Sequence, residues 1–551
     1  MRILPFFSVS VFLLLCAISF VAAPASEAQA PSAASVSSQS CEQLATLELP
    51  NAGVTMAKAV AAGTFAGPPA EFTGQDLSAF YKMLPAFCRV VMHARPSSDS
   101  DIVVELWMPL SGWNGKLEGL GNGGFAGQIG YEALGGAILH GSAAVATDTG
   151  HAGSPIDAAW ALGHPEKIAD FGHRGIHEMT RVAKLVVQKF YGSGAKRAYF
   201  IGCSDGGREA LMEAQRYPED YDGILAGAPA NYWTGLLSTA IVNLQALTAT
   251  PESFIPPAKI PVIAGAVDAA CDKTDGVADG ILNDPRECHF DPASIECKAG
   301  EPTDKCLTAP QVASIKAIYT GLRDASGKQI FPGFLPGAEG GSGGWGTWIT
   351  GPAPGKSAQA FFGIGYFSNM VYDRHDWDYR SFAVGSGIQA AKEKTAGALD
   401  AVNADLAPFR ARGGKLILYH GWDDPAIPAL NTVNYYGEVL AKMGKTNADS
   451  FVRLYMVPGM QHCGGGPGPD DFGQFGASLR NDPQHNSYIA LENWVEQGTA
   501  PDSFIASKHA GGALTGAVTM TRPLCPYPQF AQYKGSGDPN SAENFECVSP
   551  K

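Results

Sequence analysis

Apolar and polar side chains alternate over residues 101–110 (DIVVELWMPL), the period-two pattern of a half-buried strand. Short apolar runs at 117–120, 143–147, 197–201 and 223–228 read as further strands. Ahead of the third run, Ile176, Met179, Val182, Leu185 and Val186 recur at helical spacing, which predicts a helix over 176–191. A second helix is predicted over 209–216, directly behind strand 197–201. The rhythm stops after Ala230 and the pattern is irregular from 231 to 412. It returns as a strand at 415–419 (KLILY), a helix at 434–443, a strand at 451–456 (FVRLYM) and a closing helix at 488–497. Strands alternating with helices predict an α/β fold with a parallel sheet. Residues 41–230 and 413–551 would build one catalytic domain. Residues 231–412 would be an inserted lid domain over the carboxyl edge of the sheet, where loops build active sites.

The first residues change the picture of the chain's route. Arg2 precedes an apolar run at 9–21, and Val21, Ala22 and Ala23 offer small residues for cleavage, so 1–23 reads as a secretory signal. The run is short of the roughly 20 residues a membrane span needs. The bulky Leu15 before Cys16 argues against a lipoprotein. Residues 24–40, rich in Ala, Ser and Pro, read as a flexible leader, and the mature protein is expected to be secreted or periplasmic. Charged residues are 17% and hydrophobic residues 45% of the 551, a globular balance, and the net charge of −14 argues against a nucleic-acid or anionic-membrane partner. Without Cys16, ten of the 11 cysteines remain, and an even count in an exported chain predicts five disulfides. Spacing pairs Cys271 with Cys288, Cys297 with Cys306 and Cys525 with Cys547. Cys41 with Cys88 would tie down the mature N-terminus, which leaves Cys203 with Cys463. No C-x-x-C pair points instead to thiol or zinc chemistry.

Residues 200–209 read FIGCSDGGRE. Between the strand and the helix lies G-x-S-x-G, the nucleophile elbow of an α/β-hydrolase, in which Gly202 and Gly206 permit a sharp turn and Ser204 Oγ stands clear. A serine hydroxyl needs a histidine base within reach and an acid to orient that base. The α/β-hydrolase order along the chain is serine, acid, histidine. Here that gives Ser204, then Asp424 or its neighbour Asp423, then His462, each just after a predicted strand. Asp424 lies one residue deeper in its turn and is preferred. A bridge from Cys203 to Cys463 would pin base to nucleophile, where a displacement of about 1 Å can cost on the order of a hundredfold in rate. The loop 121–127 (GNGGFAG) follows strand 117–120, and its N–H groups could face an oxyanion or simply make a tight turn; upstream of an elbow the oxyanion role is preferred. Asp148 and His151 end strand 143–147, where polar residues brace loops as well as act in catalysis.

The motifs at 202–208 (GCSDGGR), 420–424 (HGWDD) and 462–465 (HCGG) resemble the tannase/feruloyl esterase family, whose Cys-Ser–Asp–His-Cys arrangement carries the same cysteine bridge. The resemblance spans nearly all of the mature chain. It implies Ser204, Asp424 and His462 as the triad. It also implies oxyanion donors at the backbone N–H of Asp205 and of Gly124 or its neighbour Gly123. Residues 271–281 (CDKTDGVADGI) cluster carboxylates, either a solvated acidic turn or a cation site. The resemblance implies a structural calcium ion held by the side chains of Asp272, Asp275 and Asp279 and the carbonyls of Val277 and Ile281. The interval 345–382 is rich in aromatic residues, which suit an aromatic acyl group or simply the lid's core. The expected activity is therefore hydrolysis of small-molecule esters of aromatic acids through an acyl-enzyme. Hydroxycinnamate (feruloyl) esters come first, gallate esters second and a terephthalate monoester third. For a substrate carboxylate, Arg374 and Arg380 are candidates. An inactive aromatic-binding protein on the same fold and a peptidase are the readings from other classes. The oligomeric state is open.

Overall fold

The computed structural model describes residues 40–70, 74–476 and 480–550; the expected signal and the leader as far as residue 39 lie outside the described residues. Among the described residues eight strands precede the interval: β1 (Glu48–Leu49), β2 (Ala52–Val60), β3 (Phe87–Ala94), β4 (Ile102–Pro109), β5 (Lys116–Leu120), β6 (Ala143–Thr147), β7 (Arg197–Cys203) and β8 (Gly223–Gly227). Inside the interval, among the described residues, β9 (Leu322–Arg323) and β10 (Gln329–Phe331) pair only with each other. The main sheet then resumes with β11 (Lys415–Gly421) and β12 (Val452–Val457). Its order is β1-β2-β3-β4-β6-β5-β7-β8-β11-β12. Pairing is antiparallel from β1 to β4 and between β4 and β6, and parallel from β6 through β5, β7, β8 and β11 to β12. The molecule is thus an α/β-hydrolase in which the carboxyl ends of six parallel strands point to one edge.

Side-chain alternation explains why helices cover both faces. On β7, Ala198 and Phe200 pack with Val104, Leu117 and the helix Gly175–Tyr191, through Ile176, Met179, Val182 and Val186. Tyr199 and Ile201 point the other way, to Leu225, Ile417, Tyr419 and the helix Ser487–Gln497. Two hairpins, β13 (Phe504–His509) with β14 (Val518–Leu524) and β15 (Phe530–Tyr533) with β16 (Phe545–Val548), finish the chain. All ten cysteines among the described residues are bonded: Cys41–Cys88, Cys203–Cys463, Cys271–Cys288, Cys297–Cys306 and Cys525–Cys547. No helix among the described residues is long and apolar enough to cross a membrane.

Three differences from the sequence pattern matter. β7 continues through Cys203 and its helix starts at Asp205, so strand and helix are separated by Ser204 alone. β11 runs through His420 and Gly421, which makes His420 a strand residue and not a loop residue. The interval 231–412 is not irregular throughout: it holds helices at Trp233–Leu247, Ile260–Cys271, Ala309–Thr320, Ala358–Tyr366 and Val384–Ala391. Trp233, Leu237, Ile241, Tyr366 and Phe367 of this interval share one apolar cluster with Phe125 and Phe171, so it packs against the loops that follow β5 and β6.

Candidate active site

Ser204 is the whole turn between β7 and the helix Asp205–Arg216. Its φ of 65° and ψ of −120° lie where L-residues rarely go. The turn can close because Gly202 has no side chain: a Cβ there would sit 2.3 Å from the Gly206 carbonyl oxygen. Neighbouring backbone fixes it. Ser204 N–H donates to the Gly227 carbonyl at 3.0 Å, and the Ser204 carbonyl accepts from Arg208 N–H at 3.1 Å and Ala230 N–H at 3.0 Å.

His462 lies in the loop after β12. Its Nε2 is 2.9 Å from Ser204 Oγ and its Nδ1 is 2.8 Å from Asp424 Oδ2. With Nδ1–H donating to the carboxylate, Nε2 is left to accept the serine proton. The disulfide Cys203–Cys463 joins the residue before Ser204 to the residue after His462, with Cα atoms 6.0 Å apart.

Asp424, and not Asp423, meets His462. Its Oδ1 accepts from Ala426 N–H at 2.8 Å and Ile427 N–H at 3.0 Å. Its Oδ2 faces a second histidine, His420, at 3.1 Å. His420 is completely buried; its Nε2 also lies 3.0 Å from the Ile427 carbonyl, and its Nδ1 lies 2.7 Å from the Thr432 hydroxyl. Two acceptors at Nε2 make that nitrogen the donor and leave Nδ1 to accept from Thr432. Burial pushes the Asp424 carboxyl up, but the charges of His462 and His420 and their hydrogen bonds outweigh it and hold it well below the usual carboxylate range. Asp423 turns into a different environment. Burial first, then the charges of Glu339 and Asp268, push its carboxyl far up, and its Oδ1 has no hydrogen-bond partner among the described residues.

Asp205 begins the helix, so its N–H has no partner within it. The loop 121–127 lies alongside. Gly124 has a φ of +60°, and a Cβ there would sit 2.2 Å from the Pro155 carbonyl oxygen. Phe125 N–H donates to that carbonyl at 2.7 Å and Ala126 N–H to the Gly123 carbonyl at 2.9 Å; the N–H groups of Gly123 and Gly124 are not donors in these bonds. His151 does not approach the triad through its hydrogen bonds. Its Nε2 bonds the Phe125 carbonyl at 2.7 Å and its ring stacks on Trp160 at 3.7 Å. Asp148 Oδ1 accepts from Val103 N–H and Gly150 N–H, both at 2.9 Å. Both residues brace loops.

The aromatic residues of 345–382 divide. Trp348, half-buried, stands edge-on to His462 with centroids 4.9 Å apart, and Phe362 lies 6.3 Å from Trp348 with the rings nearly parallel. Phe362 also packs on Phe125 at 5.2 Å. Trp345, Tyr366, Phe367 and Phe382 are buried core, while Tyr372 and Trp377 stack at its rim. Arg374 and Arg380 are largely exposed and paired with Asp376 and Asp378, so neither is committed to a substrate carboxylate.

In the acidic loop, Asp272 Oδ1 accepts from Asp279 N–H and Gly280 N–H, and Asp275 from Val277 N–H and Asn283 N–H. Asp279 accepts from Ile281 N–H and pairs with Arg522 at 2.7 Å. Among the described residues no three His, Cys, Asp or Glu side chains converge as a metal cluster. The donors are nonetheless all oxygen, the kind a hard cation takes. Burial first and the Asp279 charge next push Asp275 up to about 6, a crowding that a cation would relieve.

With this geometry in place, the likeness to known proteins is informative. The family model for tannase and feruloyl esterase matches residues 88–548. An uncharacterized esterase of Xanthomonas campestris pv. campestris is 40% identical over 540 residues, covering 93% of this chain and 92% of that protein. The mono(2-hydroxyethyl) terephthalate hydrolase of Piscinibacter sakaiensis is 35% identical over 534 residues, covering 85% of each. The crystal structure of feruloyl esterase B from Aspergillus oryzae superposes with a TM-score of 0.82 at 30% identity, covering 92% of this chain and 99% of that one. The chain belongs to the tannase and feruloyl esterase family and is a carboxylic ester hydrolase of that type.

Proposed function

We propose that the protein hydrolyses esters of aromatic acids, hydroxycinnamate (feruloyl) esters first, with Ser204, His462 and Asp424 as its triad. The hydrogen-bonded line from Ser204 Oγ through His462 to Asp424 carries the reading. His462 Nε2 takes the Ser204 proton as Oγ attacks the ester carbonyl. The N–H groups of Asp205 and Gly124 receive the developing oxyanion. The alcohol leaves with the proton from His462, and water, activated by the same nitrogen, releases the acid. Trp348 beside His462, with Phe362 next to it, supports an aromatic acyl group, since flat rings pack well against flat rings. Relatives named as feruloyl esterases support the same choice. Comparing kcat/KM for methyl ferulate, chlorogenate, methyl gallate and a terephthalate monoester tests the reading. Ferulate or chlorogenate should lead by about tenfold or more; a lead for the terephthalate monoester or for gallate would replace hydroxycinnamate with that acid. Ser204→Ala should lose turnover by roughly 10³-fold or more while circular dichroism stays unchanged.

Residues 231–412 act in this reading as the lid that shapes the acyl site. Calcium is its structural cofactor, with Asp272, Asp275, Asp279 and the carbonyls of Val277 and Ile281 as its ligands. The ion would supply charge neutralisation in a loop already closed by Cys271–Cys288. Chelation should then lower the melting temperature by several degrees and leave kcat at low temperature nearly unchanged; an unchanged melting temperature would remove calcium from the scheme. Five disulfides support an oxidising destination for the chain, outside the cell or in a periplasm.

A further inference from the structure

Glu209 has no part in the steps above. It sits on the elbow helix one turn after Asp205, with 1% of its surface exposed. Its Oε2 accepts the Asn122 N–H at 2.8 Å, and the Asn122 carbonyl accepts the Gly206 N–H at 2.8 Å. Helix and loop therefore exchange two hydrogen bonds through a single loop residue. The backbones approach closely there: a Cβ on Gly121 would lie 2.8 Å from Gly206 Cα and 3.1 Å from Glu209 Oε2. The Asn122 side chain reaches away, donating to the Thr147 carbonyl at 2.8 Å, so the loop is held on both flanks.

The two oxyanion donors of the proposed mechanism lie on separate segments, Asp205 on the helix and Gly124 on the loop. Whatever joins loop to helix sets the distance between them. We propose that Glu209 is the positioning residue of the oxyanion hole, holding Asn122 so that the Asp205 and Gly124 N–H groups converge on one oxygen. This rests on the Ser204 reading above. Burial first, and the Asp205 charge next, push the Glu209 carboxyl up to about 8. Glutamine, an uncharged side chain of the same shape, can take its place.

The test compares Glu209→Gln, which keeps an acceptor oxygen, with Glu209→Met, which keeps the volume and loses the acceptor. On methyl ferulate, or on the best ester of the panel, Glu209→Met should lose roughly 30- to 100-fold in kcat with KM within about threefold. Glu209→Gln should recover to within about threefold of the unsubstituted protein. Active sites are counted with a fluorophosphonate, so that a loss of folded protein is not read as a loss of rate. Undiminished kcat per active site in Glu209→Met overturns the proposal alone, as do equal losses in both variants. In the unsubstituted protein, the Asn122 amide should exchange hydrogen as slowly as the elbow helix; exchange as fast as an exposed loop overturns the proposal even if neither variant folds. Absence of turnover on every ester overturns the esterase reading, and the proposal with it.

Discussion

His420, near the end of β11, has no solvent exposure and places a second imidazole 3.1 Å from Asp424, the acid of the proposed triad. Asp424 thereby collects four hydrogen bonds, two from backbone N–H groups and two from histidines. A carboxylate held this way stays ionised and fixed in direction, which is what the imidazolium formed during catalysis requires. Replacing His420 by Leu should lower kcat by about tenfold, with little change in KM, and should lower the melting temperature because Thr432 and Asp424 lose a buried partner. Asp424→Asn should cost on the order of 10³-fold or more in kcat, whereas Asp423→Asn should keep most of it; kcat on one ester separates the two. Ser204, Asp424 and His462 could be picked out as candidates because each lies a few residues beyond an apolar run. His420 was not, although HGWDD was in view. Four residues of extended strand span about 13 Å, and only the fold-back of the turn after Gly421 brings His420 to Asp424.

At the scale of elements, strand-end loops deliver the chemistry and one covalent bond keeps two of them in register. Ser204 follows β7 and His462 lies in the loop after β12, and Cys203–Cys463 ties the end of β7 to that loop. Replacing both cysteines by alanine should lower kcat by roughly a hundredfold and stability by about 5 kcal/mol on the chain-entropy model; steady-state kinetics and chemical denaturation check the two effects separately. Unchanged kcat would leave the bond with a stabilising role only. The parallel strands were readable as short apolar runs because both faces of the sheet are covered. β2 was not: AGVTMAKAV is rich in small residues and half-exposed, so it alternates weakly. The helix Trp233–Leu247 escaped for the opposite reason. Twelve of its fifteen residues are buried, so it has no polar face to mark a helical period. Nor could spacing show that Trp348 would stand against His462, because that contact depends on how a long interval packs back on the sheet.

At the scale of the whole molecule, buried carboxyls set the response to pH. Burial pushes Glu118 up to about 7 and Glu339 up to about 7. In the unfolded chain both would titrate near 4.3. Between those values the folded protein binds more protons than the unfolded chain, so stability falls as pH rises through the window, on the order of 1.4 kcal/mol per pH unit for each group. Asp424 works in the other direction: its depressed carboxyl adds stability above the ordinary aspartate range, and that stability is lost as pH falls further. The melting temperature should therefore be higher near pH 5 than near pH 8. Glu118→Gln should flatten that slope, and an equally steep profile in the variant would show that Glu118 titrates normally.

The bond between Cys203 and Cys463 also closes a ring of chain, its ends 260 positions apart, and the whole interval 231–412 lies inside that ring. A protease that nicks an exposed loop of the interval once cannot shed it. The two pieces stay joined through the bond next to Ser204 and His462, so the nicked protein should run as one species until thiol is added and as two afterwards. The bond beside the proposed nucleophile and base is thus also the staple that keeps a cleaved chain in one piece.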